Sequence, residues 1–187
     1  MRLRDSLRVL IAAVVCLAAP AARAQFNYDV PYVPTPYVVV EEMLRLARVG
    51  PDDFVIDLGS GDGRILIAAA RKFGARGIGV DLDPDRIEES VYNAELQGVS
   101  DRVTFQQQDL FKFDIGRATV VTMYLLPSVN MKLRARLLSD LKPGTRIVSH
   151  DFDMGDWKPD QTLTVEGATI FLWTITPDLA KRAAQDP

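Results

Sequence analysis

The chain has 187 residues, of which 48% are hydrophobic and 25% are charged, and its formal net charge at pH 7 is −3. These proportions are those of an ordinary globular domain, and they argue against a disordered or collagen-like chain. The negative charge argues against a nucleic-acid partner, and the single histidine argues against a histidine-based metal site.

The N-terminal segment has the pattern of a secretory signal. Three arginines precede an apolar run at residues 9–19, which is short for a bilayer span, and Ala22-Arg23-Ala24 matches a small-residue cleavage pattern. We expect cleavage after Ala24, which places the mature protein in the periplasm. Removing residues 1–24 takes away four arginines and one aspartate, so the net charge of −3 becomes −6. The alternative is an uncleaved helix that anchors the protein to the membrane.

Residues 25–36 form a leader rich in proline and tyrosine, for which two interpretations stay open. Proline at this density prevents regular helix and sheet, so the segment is either a plain extended leader or a cover over a ligand site. Thr35 is expected to cap the next helix, with Pro36 in the first helical position. Under the second interpretation, Thr35 also contacts the bound ligand.

Residues 37–176 alternate between short apolar strands and amphipathic helices, and residues 177–187 form a polar tail. Five β–α units followed by a hairpin predict a mostly parallel sheet with helices on both faces. The expected helices are residues 37–49, 65–73, 84–98 and 128–141. The expected strands are residues 55–58, 77–81, 103–106, 118–125, 146–149, 162–165 and 169–175.

A glycine-rich turn joins the first expected strand to the helix that follows it. The turn contains Gly59, Gly61 and Gly63 at alternate positions, and Asp57 precedes it at the end of the strand. Glycine lets the backbone turn tightly and approach a ligand closely. Dinucleotide-binding enzymes use G-x-G-x-x-G, whereas the D-x-G-x-G-x-G spacing found here is typical of S-adenosyl-L-methionine (SAM) binding.

Acidic residues at the ends of the first three strands have expected roles in holding SAM. Asp57 is expected to hold the methionine amino group through water or the loop backbone. Asp81 is expected to accept hydrogen bonds from the ribose hydroxyls, and its alternative role is that of a solvated strand-end acid. Asp109 is expected to bind the adenine amino group while Leu110 packs on the ring, although Asp109 is alternatively a helix cap. The methionine and ribose parts are expected to contact Gly59, Ser60 and Gly61.

Three motifs resemble those of class I, seven-strand SAM-dependent methyltransferases: DLGSGDGR at residues 57–64, VDLDP at residues 80–84 and QDL at residues 108–110. Three shorter pieces are similar to the ATP synthase c-subunit lysine methyltransferase family and its bacterial relatives: YVPT at residues 32–35, YLLP at residues 124–127 and WKPD at residues 157–160. The resemblance covers residues 31–175.

The resemblance implies a Rossmann-like, doubly wound α/β fold with seven strands in the order 3-2-1-4-5-7-6 and strand 7 antiparallel. It implies SAM as the cofactor and S-adenosyl-L-homocysteine as the product, and it adds Gly63 and Leu82 to the expected cofactor-binding residues. A protein lysine is the implied methyl acceptor, and we expect a monomer without a metal. The signal-like N-terminus departs from the family, because SAM is not expected to be plentiful outside the cytosol.

Two residues at the ends of the fourth and fifth strands are candidates for catalysis. Tyr124 is a candidate for orienting the acceptor amine through its hydroxyl or its ring face, and its alternative role is that of a packed strand-end aromatic. His150 is a candidate base, and its alternative role is that of a hydrogen-bonded strand-end histidine. Two other functions stay open, namely a methyltransferase for a small molecule and an exported, non-catalytic binding protein of the same fold.

Overall fold

The computed structural model describes residues 32–179 and residue 181, so the expected signal segment and most of the leader lie outside the described residues. The main helices are α1 (Tyr37–Leu46), α2 (Arg64–Phe73), α3 (Pro84–Leu96) and α4 (Pro127–Asp140). The strands are β1 (Phe54–Leu58), β2 (Arg76–Asp81), β3 (Val103–Gln107), β4 (Val120–Met123), β5 (Arg146–His150), β6 (Gln161–Val165) and β7 (Ala168–Thr174).

The strands form one sheet in the order β3-β2-β1-β4-β5-β7-β6, which confirms the predicted strand order. Strand β1 pairs in parallel with β2 and β4, and β3 and β5 extend the parallel part on either side. Strand β7 runs antiparallel to both β5 and β6, as expected for the hairpin. The strand order reverses between β1 and β4, and in open α/β sheets such a reversal creates a crevice at the carboxyl ends of the strands.

Helices cover both faces of the sheet, which confirms the doubly wound prediction. Helices α1, α2 and α3 pack on one face and α4 packs on the other. Successive strand residues point to opposite faces, so Val55 belongs to the first core and Ile56 to the second. Because both faces are covered, β1 and β4 are buried over nearly their whole length.

The prediction of five β–α units is wrong in one respect. Among the described residues, a helix follows β1, β2 and β4, whereas loops follow β3 and β5. After β3, the side chains of Asp109 and Asp114 accept hydrogen bonds from the backbone N–H groups of Phe111 and Gly116. Such aspartate turns compete with helix formation. After β5, Asp151 has a left-handed φ of 60°, which takes the chain out of a helical path.

Element ends differ from the expected ones by a few residues. Helix α1 ends at Leu46 because Arg48 takes a left-handed φ of 50°. Strand β4 is limited to Val120–Met123, since only these residues pair with β1 and β5. None of the helices in the described part of the chain has the length and apolar character needed to cross a bilayer.

Candidate active site

A cavity of about 390 Å³ opens at the carboxyl ends of β1, β2 and β4. Its volume lies in the range that small-molecule and cofactor sites occupy. Most of the site residues predicted from the sequence lie on its wall, namely Thr35, Gly59, Ser60, Gly61, Asp81, Leu82, Asp109, Leu110 and Tyr124. Three predicted site residues are not on the wall: Asp57, Gly63 and His150.

The glycine turn is fixed to the end of β2 by backbone hydrogen bonds. The N–H groups of Gly59 and Ser60 both donate to the carbonyl oxygen of Val80, each at 2.9 Å. The N–H group of Gly61 donates to Oδ2 of Asp81 at 2.9 Å. The turn and the acidic residue predicted to bind ribose therefore form one rigid unit.

Two glycines of the turn are required for different reasons. Gly61 has φ 52°, and a Cβ there would lie 2.5 Å from the ring of Tyr32, so a side chain would push that ring off the cavity. Gly63 has φ 80°, and a Cβ there would lie 2.6 Å from Phe105 and 2.9 Å from Ser90. Gly63 thus lets α2 pack against β3 and α3, and this packing accounts for its place in the motif.

Asp81 presents a fixed carboxylate at the cavity. Its Oδ2 accepts the bond from Gly61, and its Oδ1 accepts one from the N–H group of Asp83 at 3.0 Å. A carboxylate offers about four lone-pair positions, so both oxygens keep capacity for a ligand hydroxyl. This arrangement supports the predicted contact of Asp81 with a ribose, which stays a prediction.

The loop after β3 carries Asp109 and Leu110, and a basic residue of α4 holds it in place. Oδ1 of Asp109 accepts a hydrogen bond from the N–H group of Phe111 at 2.9 Å, and no helix follows. The guanidinium of Arg136 donates to the carbonyl oxygens of Leu110 at 3.2 Å, Phe111 at 2.6 Å and Phe113 at 2.9 Å. Sequence reasoning missed Arg136, because no local pattern connects α4 with this loop.

Asp57 lies buried at the end of β1, directly before the glycine turn, with 1% of its surface exposed. Its Oδ1 accepts a hydrogen bond from Thr122 at 2.6 Å, whereas its Oδ2 has no partner among the described residues. Burial raises the pKa of Asp57 to about 7. The hydrogen bond from Thr122 acts to lower that pKa, and the nearby carboxylates of Asp81 and Asp62 act to raise it. A buried carboxylate without a cation beside it is suited to a ligand that brings positive charge.

Residues 32–36, which we call the strap, lie beside the cavity, and residues 32–35 form part of its wall. The ring of Tyr32 lies on Gly61, and the guanidinium of Arg86 lies 4.7 Å from the centre of that ring. A cation over an aromatic face is attracted to it electrostatically. Residues 32–35 of the leader therefore lie at the site, whereas residues 25–31 lie outside the described residues, and both interpretations of the whole leader stay predictions.

The predicted N-cap role of Thr35 is wrong. Pro36 takes the N-cap position of α1, where no side chain caps the helix. The hydroxyl of Thr35 instead forms a hydrogen bond of 3.0 Å with Nδ1 of His150, and its carbonyl oxygen accepts one from Arg64 at 3.0 Å. Thr35 is thus 3% exposed and connects the strap to the end of β5.

Arg64 also pairs with Asp62, the other charged residue of the turn. Its Nε and Nη2 donate to the Asp62 carboxylate at 2.9 and 2.6 Å. Burial acts to raise the pKa of Asp62, but the hydrogen bonds and the charge of Arg64 outweigh it and hold that pKa below its usual value. The pair therefore stays ionised and joins the turn to the strap.

At the other end of the cavity, three rings meet at the ends of β4 and β5. The ring centre of Tyr124 lies 3.8 Å from that of His150 and 6.1 Å from that of Phe152. His150 is 3% exposed, with Nδ1 bonded to Thr35 and Nε2 3.4 Å from Oδ2 of Asp151. Burial lowers the pKa of His150, against the opposing effect of the Asp151 carboxylate. The geometry suits a hydrogen-bonded strand-end histidine, and the role of base stays a prediction.

The model of the ANTKMT methyltransferase domain matches residues 57–161. The chain belongs to this methyltransferase family. A protein-lysine N-methyltransferase of Saccharolobus islandicus is 46% identical over 151 residues, which make up 78% of this chain and 94% of that protein. The ATP synthase c-subunit lysine N-methyltransferase of Xenopus laevis is 32% identical over 170 residues, 91% of this chain and 73% of that protein.

A solved structure supplies the cofactor of the family. An RNA methyltransferase from Salinibacter ruber, crystallised with S-adenosyl-L-homocysteine, is 58% identical to this ANTKMT-family chain. The TM-score is 0.77, and the match covers 78% of this chain and 95% of that chain. The protein is thus a SAM-dependent methyltransferase, as predicted from the glycine spacing.

The residues of this chain fit SAM, which carries two positive charges. The unpartnered Oδ2 of Asp57 suits the amino group, and Ser60 adds a buried hydroxyl that has no partner among the described residues. Asp81 suits the ribose, and the loop at Asp109 and Leu110 suits the adenine. No cluster of metal-binding side chains is present in residues 32–179 or at residue 181.

Proposed function

We propose that this methyltransferase acts on the side-chain amine of a protein lysine. The observation that carries the proposal is the charge of the cavity wall. The wall includes four carboxylates, on Asp62, Asp81, Asp83 and Asp109, and two cations, on Arg64 and Arg86. Each arginine already pairs with a neighbouring carboxylate. An excess of negative charge suits a cationic acceptor and repels a phosphate backbone.

Two relatives support the same acceptor class. The proteins from Saccharolobus islandicus and Xenopus laevis are both named as lysine N-methyltransferases. The match to the first covers nearly the whole of that protein. The likeness between the two chains therefore extends well beyond the cofactor motifs.

Methyl transfer requires alignment and exclusion of water more than acid–base chemistry. SAM, when bound, supplies a methyl group on a positively charged sulfur, and the protein must hold the acceptor nitrogen in line with it. In this chain residues 32–35 of the strap form part of the cavity wall, where they would help to keep water from the reacting atoms. A lysine amine has an ordinary pKa of about 10.4, so it must lose a proton before it reacts. Burial raises the pKa of Tyr124, which therefore stays protonated beside the acceptor.

An RNA acceptor is the second candidate, because the Salinibacter ruber protein is called an RNA methyltransferase. RNA binding relies on basic surface that neutralises phosphates. The net charge of this chain is −3, and the arginines of the cavity are paired. The charge distribution thus favours protein over RNA.

The experiment compares three acceptor classes in one reaction. The full chain is incubated with tritiated SAM and, separately, with total protein, total RNA and the small-molecule fraction of the source cells. We expect protease-sensitive label that yields methyl-lysine on acid hydrolysis. Label confined to RNA or to small molecules would overturn the lysine proposal. A Gly61→Val variant, which loses the cofactor turn, is the negative control.

We also propose that residues 1–24 are a cleaved export signal and that the enzyme acts outside the cytosol. The support is the arrangement of three arginines, an apolar run and Ala22-Arg23-Ala24. Mass spectrometry of the N-terminus in fractionated cells tests it. A start at Gln25 in the periplasmic fraction is expected, whereas an intact Met1 in the membrane fraction would favour an anchored enzyme.

A further inference from the structure

An uncompensated carboxylate lies beside the ring end of the cavity. Asp151 follows β5, its side chain is 34% exposed, and it has a left-handed φ of 60°. A non-glycine residue in this conformation is strained, and such strain is concentrated at functional sites. The backbone N–H of Asp151 donates to the carbonyl oxygen of Thr169, and its Oδ1 accepts a bond from the N–H of Thr169 at 2.9 Å. Strand β7 therefore holds the carboxylate in a fixed position.

No cation neutralises Asp151 within the described part of the chain. Its one ionic contact there is with His150, whose Nε2 lies 3.4 Å from Oδ2. Since burial lowers the pKa of His150, that ring is neutral near pH 7 and leaves the carboxylate charge in place. The other nitrogen of the His150 ring forms a hydrogen bond with Thr35, which fixes the orientation of the ring.

Two aromatic rings lie near this charge, and one of them is on the wall of the cofactor cavity. Tyr124 is on the cavity wall, and its ring is nearly parallel to that of Phe152, with an interplanar angle of 17°. The carboxylate of Asp151 acts on the Tyr124 hydroxyl and adds to the increase in its pKa. Alkylammonium groups bind where aromatic faces and an anion meet.

We propose that Tyr124, Asp151 and Phe152, the acidic corner, bind the ammonium group of the methyl acceptor. This proposal rests on the proposed function, because it names the residues that receive the lysine side chain. Asp151 attracts the ammonium and the rings surround its methylene groups. The ammonium then releases one proton to solvent. The nitrogen lone pair forms the new N–C bond while the C–S bond of the cofactor breaks and leaves its electron pair on sulfur.

A binding experiment tests the corner without needing the natural substrate. The full chain, labelled with ¹⁵N and saturated with S-adenosyl-L-homocysteine, is titrated with n-butylammonium, which reproduces a lysine side chain. We expect saturable shifts of the amide signals of residues 150–152, and none with the neutral analogue 1-butanol. Equal shifts from both probes, or none with either, would overturn the proposal.

Two aspartates on the same loop supply the variant and its matched control. Asp151→Asn keeps the acceptor for Thr169 but removes the charge, and it should weaken n-butylammonium binding at least ~10-fold. Asp153 is exposed, and its Oδ1 likewise accepts one backbone bond, from Gly155 at 3.0 Å. Asp153→Asn should leave the affinity within about twofold. Equal effects of the two substitutions would show that Asp151 has no special role.

Transfer of tritium from SAM to poly-L-lysine separates this proposal from the proposed function. Asp151→Asn should raise the KM for poly-L-lysine at least ~10-fold and leave the KM for SAM unchanged. If the wild type labels poly-L-lysine and Asp151→Asn keeps the wild-type KM, the proposed role of the acidic corner is wrong and the proposal of a lysine acceptor stands. If n-butylammonium binds as expected but neither poly-L-lysine nor cell protein is labelled, the corner stands and the lysine acceptor is wrong.

Discussion

The part of the cavity that fits SAM, which we call the donor side, and the part proposed to receive the methyl acceptor, which we call the acceptor side, are built in different ways. The donor side consists of short motifs that each follow a strand. Backbone N–H groups of one motif bond to the next, as the N–H group of Gly61 does to the carboxylate of Asp81. The acceptor side consists of single side chains from distant parts of the sequence. Its bond between Thr35 and His150 joins residues 115 positions apart.

This difference determines how each side responds to change. On the donor side, the position of a ligand-binding group depends on backbone conformation, so one wrong φ value displaces several groups together. On the acceptor side, each side chain is held by its own partners, such as Thr169 for Asp151. Substitutions there should change affinity for the acceptor and leave the cofactor site intact. Variants on each side therefore test whether the donor side depends on backbone conformation and the acceptor side on individual side chains.

Gly61→Val should have the largest effect, because it breaks the donor side at its backbone. The residue has φ 52°, and a Cβ would lie 2.5 Å from the Tyr32 ring. A left-handed valine and the displaced ring together cost ~3 kcal/mol, which corresponds to a loss of SAM affinity of ~100-fold. Isothermal titration calorimetry with SAM measures it. Gly50→Ala is the control, since a Cβ there meets no atom within 4 Å. Wild-type affinity in Gly61→Val would contradict the rigid-turn explanation.

The pH dependence of SAM binding tests the buried carboxylate beneath the turn. The pKa of Asp57 is about 7, so the ionised form that attracts the SAM amino group increases as pH rises. Between pH 6 and pH 8 the ionised fraction, and with it the affinity, should rise ~10-fold. Asp57→Asn should remove this slope. A wild-type affinity that is flat with pH would exclude contact between Asp57 and the amino group.

The stability of the free protein should follow the opposite trend. The folded pKa of Asp57 lies above the value of about 3.9 expected in the unfolded chain, so between these values the folded state holds the extra proton. The resulting stabilisation is complete at the acidic end and is lost as pH rises through about 7. Thermal melts of the wild type and of Asp57→Asn across this range measure the difference.

Arg136→Met should have a smaller effect, confined to the donor side. The guanidinium holds three carbonyl groups of the loop that carries Asp109 and Leu110. Loosening that loop costs about 1 kcal/mol of binding, so the KM for SAM should rise ~5-fold while kcat is kept. Arg134→Met, which removes a pair with the exposed Asp156, is the matched control on the same helix. A fall in kcat with unchanged KM would contradict a role in positioning the loop.

Much of the fold could be predicted from the sequence because its signals are local. The two buried strands before Asp57 and Asp81 and the glycine spacing are contiguous patterns, and they indicate the cofactor site directly. No helix was expected after β3 or β5, so at these two places only the count of five β–α units was wrong.

The long-range contacts that support both sides could not be predicted to the same extent. Thr35 has the sequence context of a helix cap, yet tertiary contact with His150 takes its hydroxyl. Arg136 contacts a loop more than twenty residues away, as its bond to Phe113 shows. Asp151 has no motif around it, and its importance depends on the backbone conformation and on Tyr124. Such long-range pairings leave no periodic or spacing signal in one sequence.

His150→Gln should have the smallest effect, and it separates a base from a positioning residue. His150 joins two parts of the acceptor side, since it contacts Thr35 on the strap and Asp151 in the acidic corner. A catalytic base contributes about 10²–10⁴-fold to the rate, so its loss would reduce kcat by at least 100-fold. The ring is off the cavity wall and 3% exposed, so we expect kcat to fall less than ~3-fold. The pH dependence of kcat in His150→Gln should match that of the wild type, because the protonation of a residue that only positions its neighbours does not appear in the pH–rate profile. A large loss of kcat together with a changed pH profile would instead assign His150 as the base, and the acceptor side would then contain chemistry as well as binding.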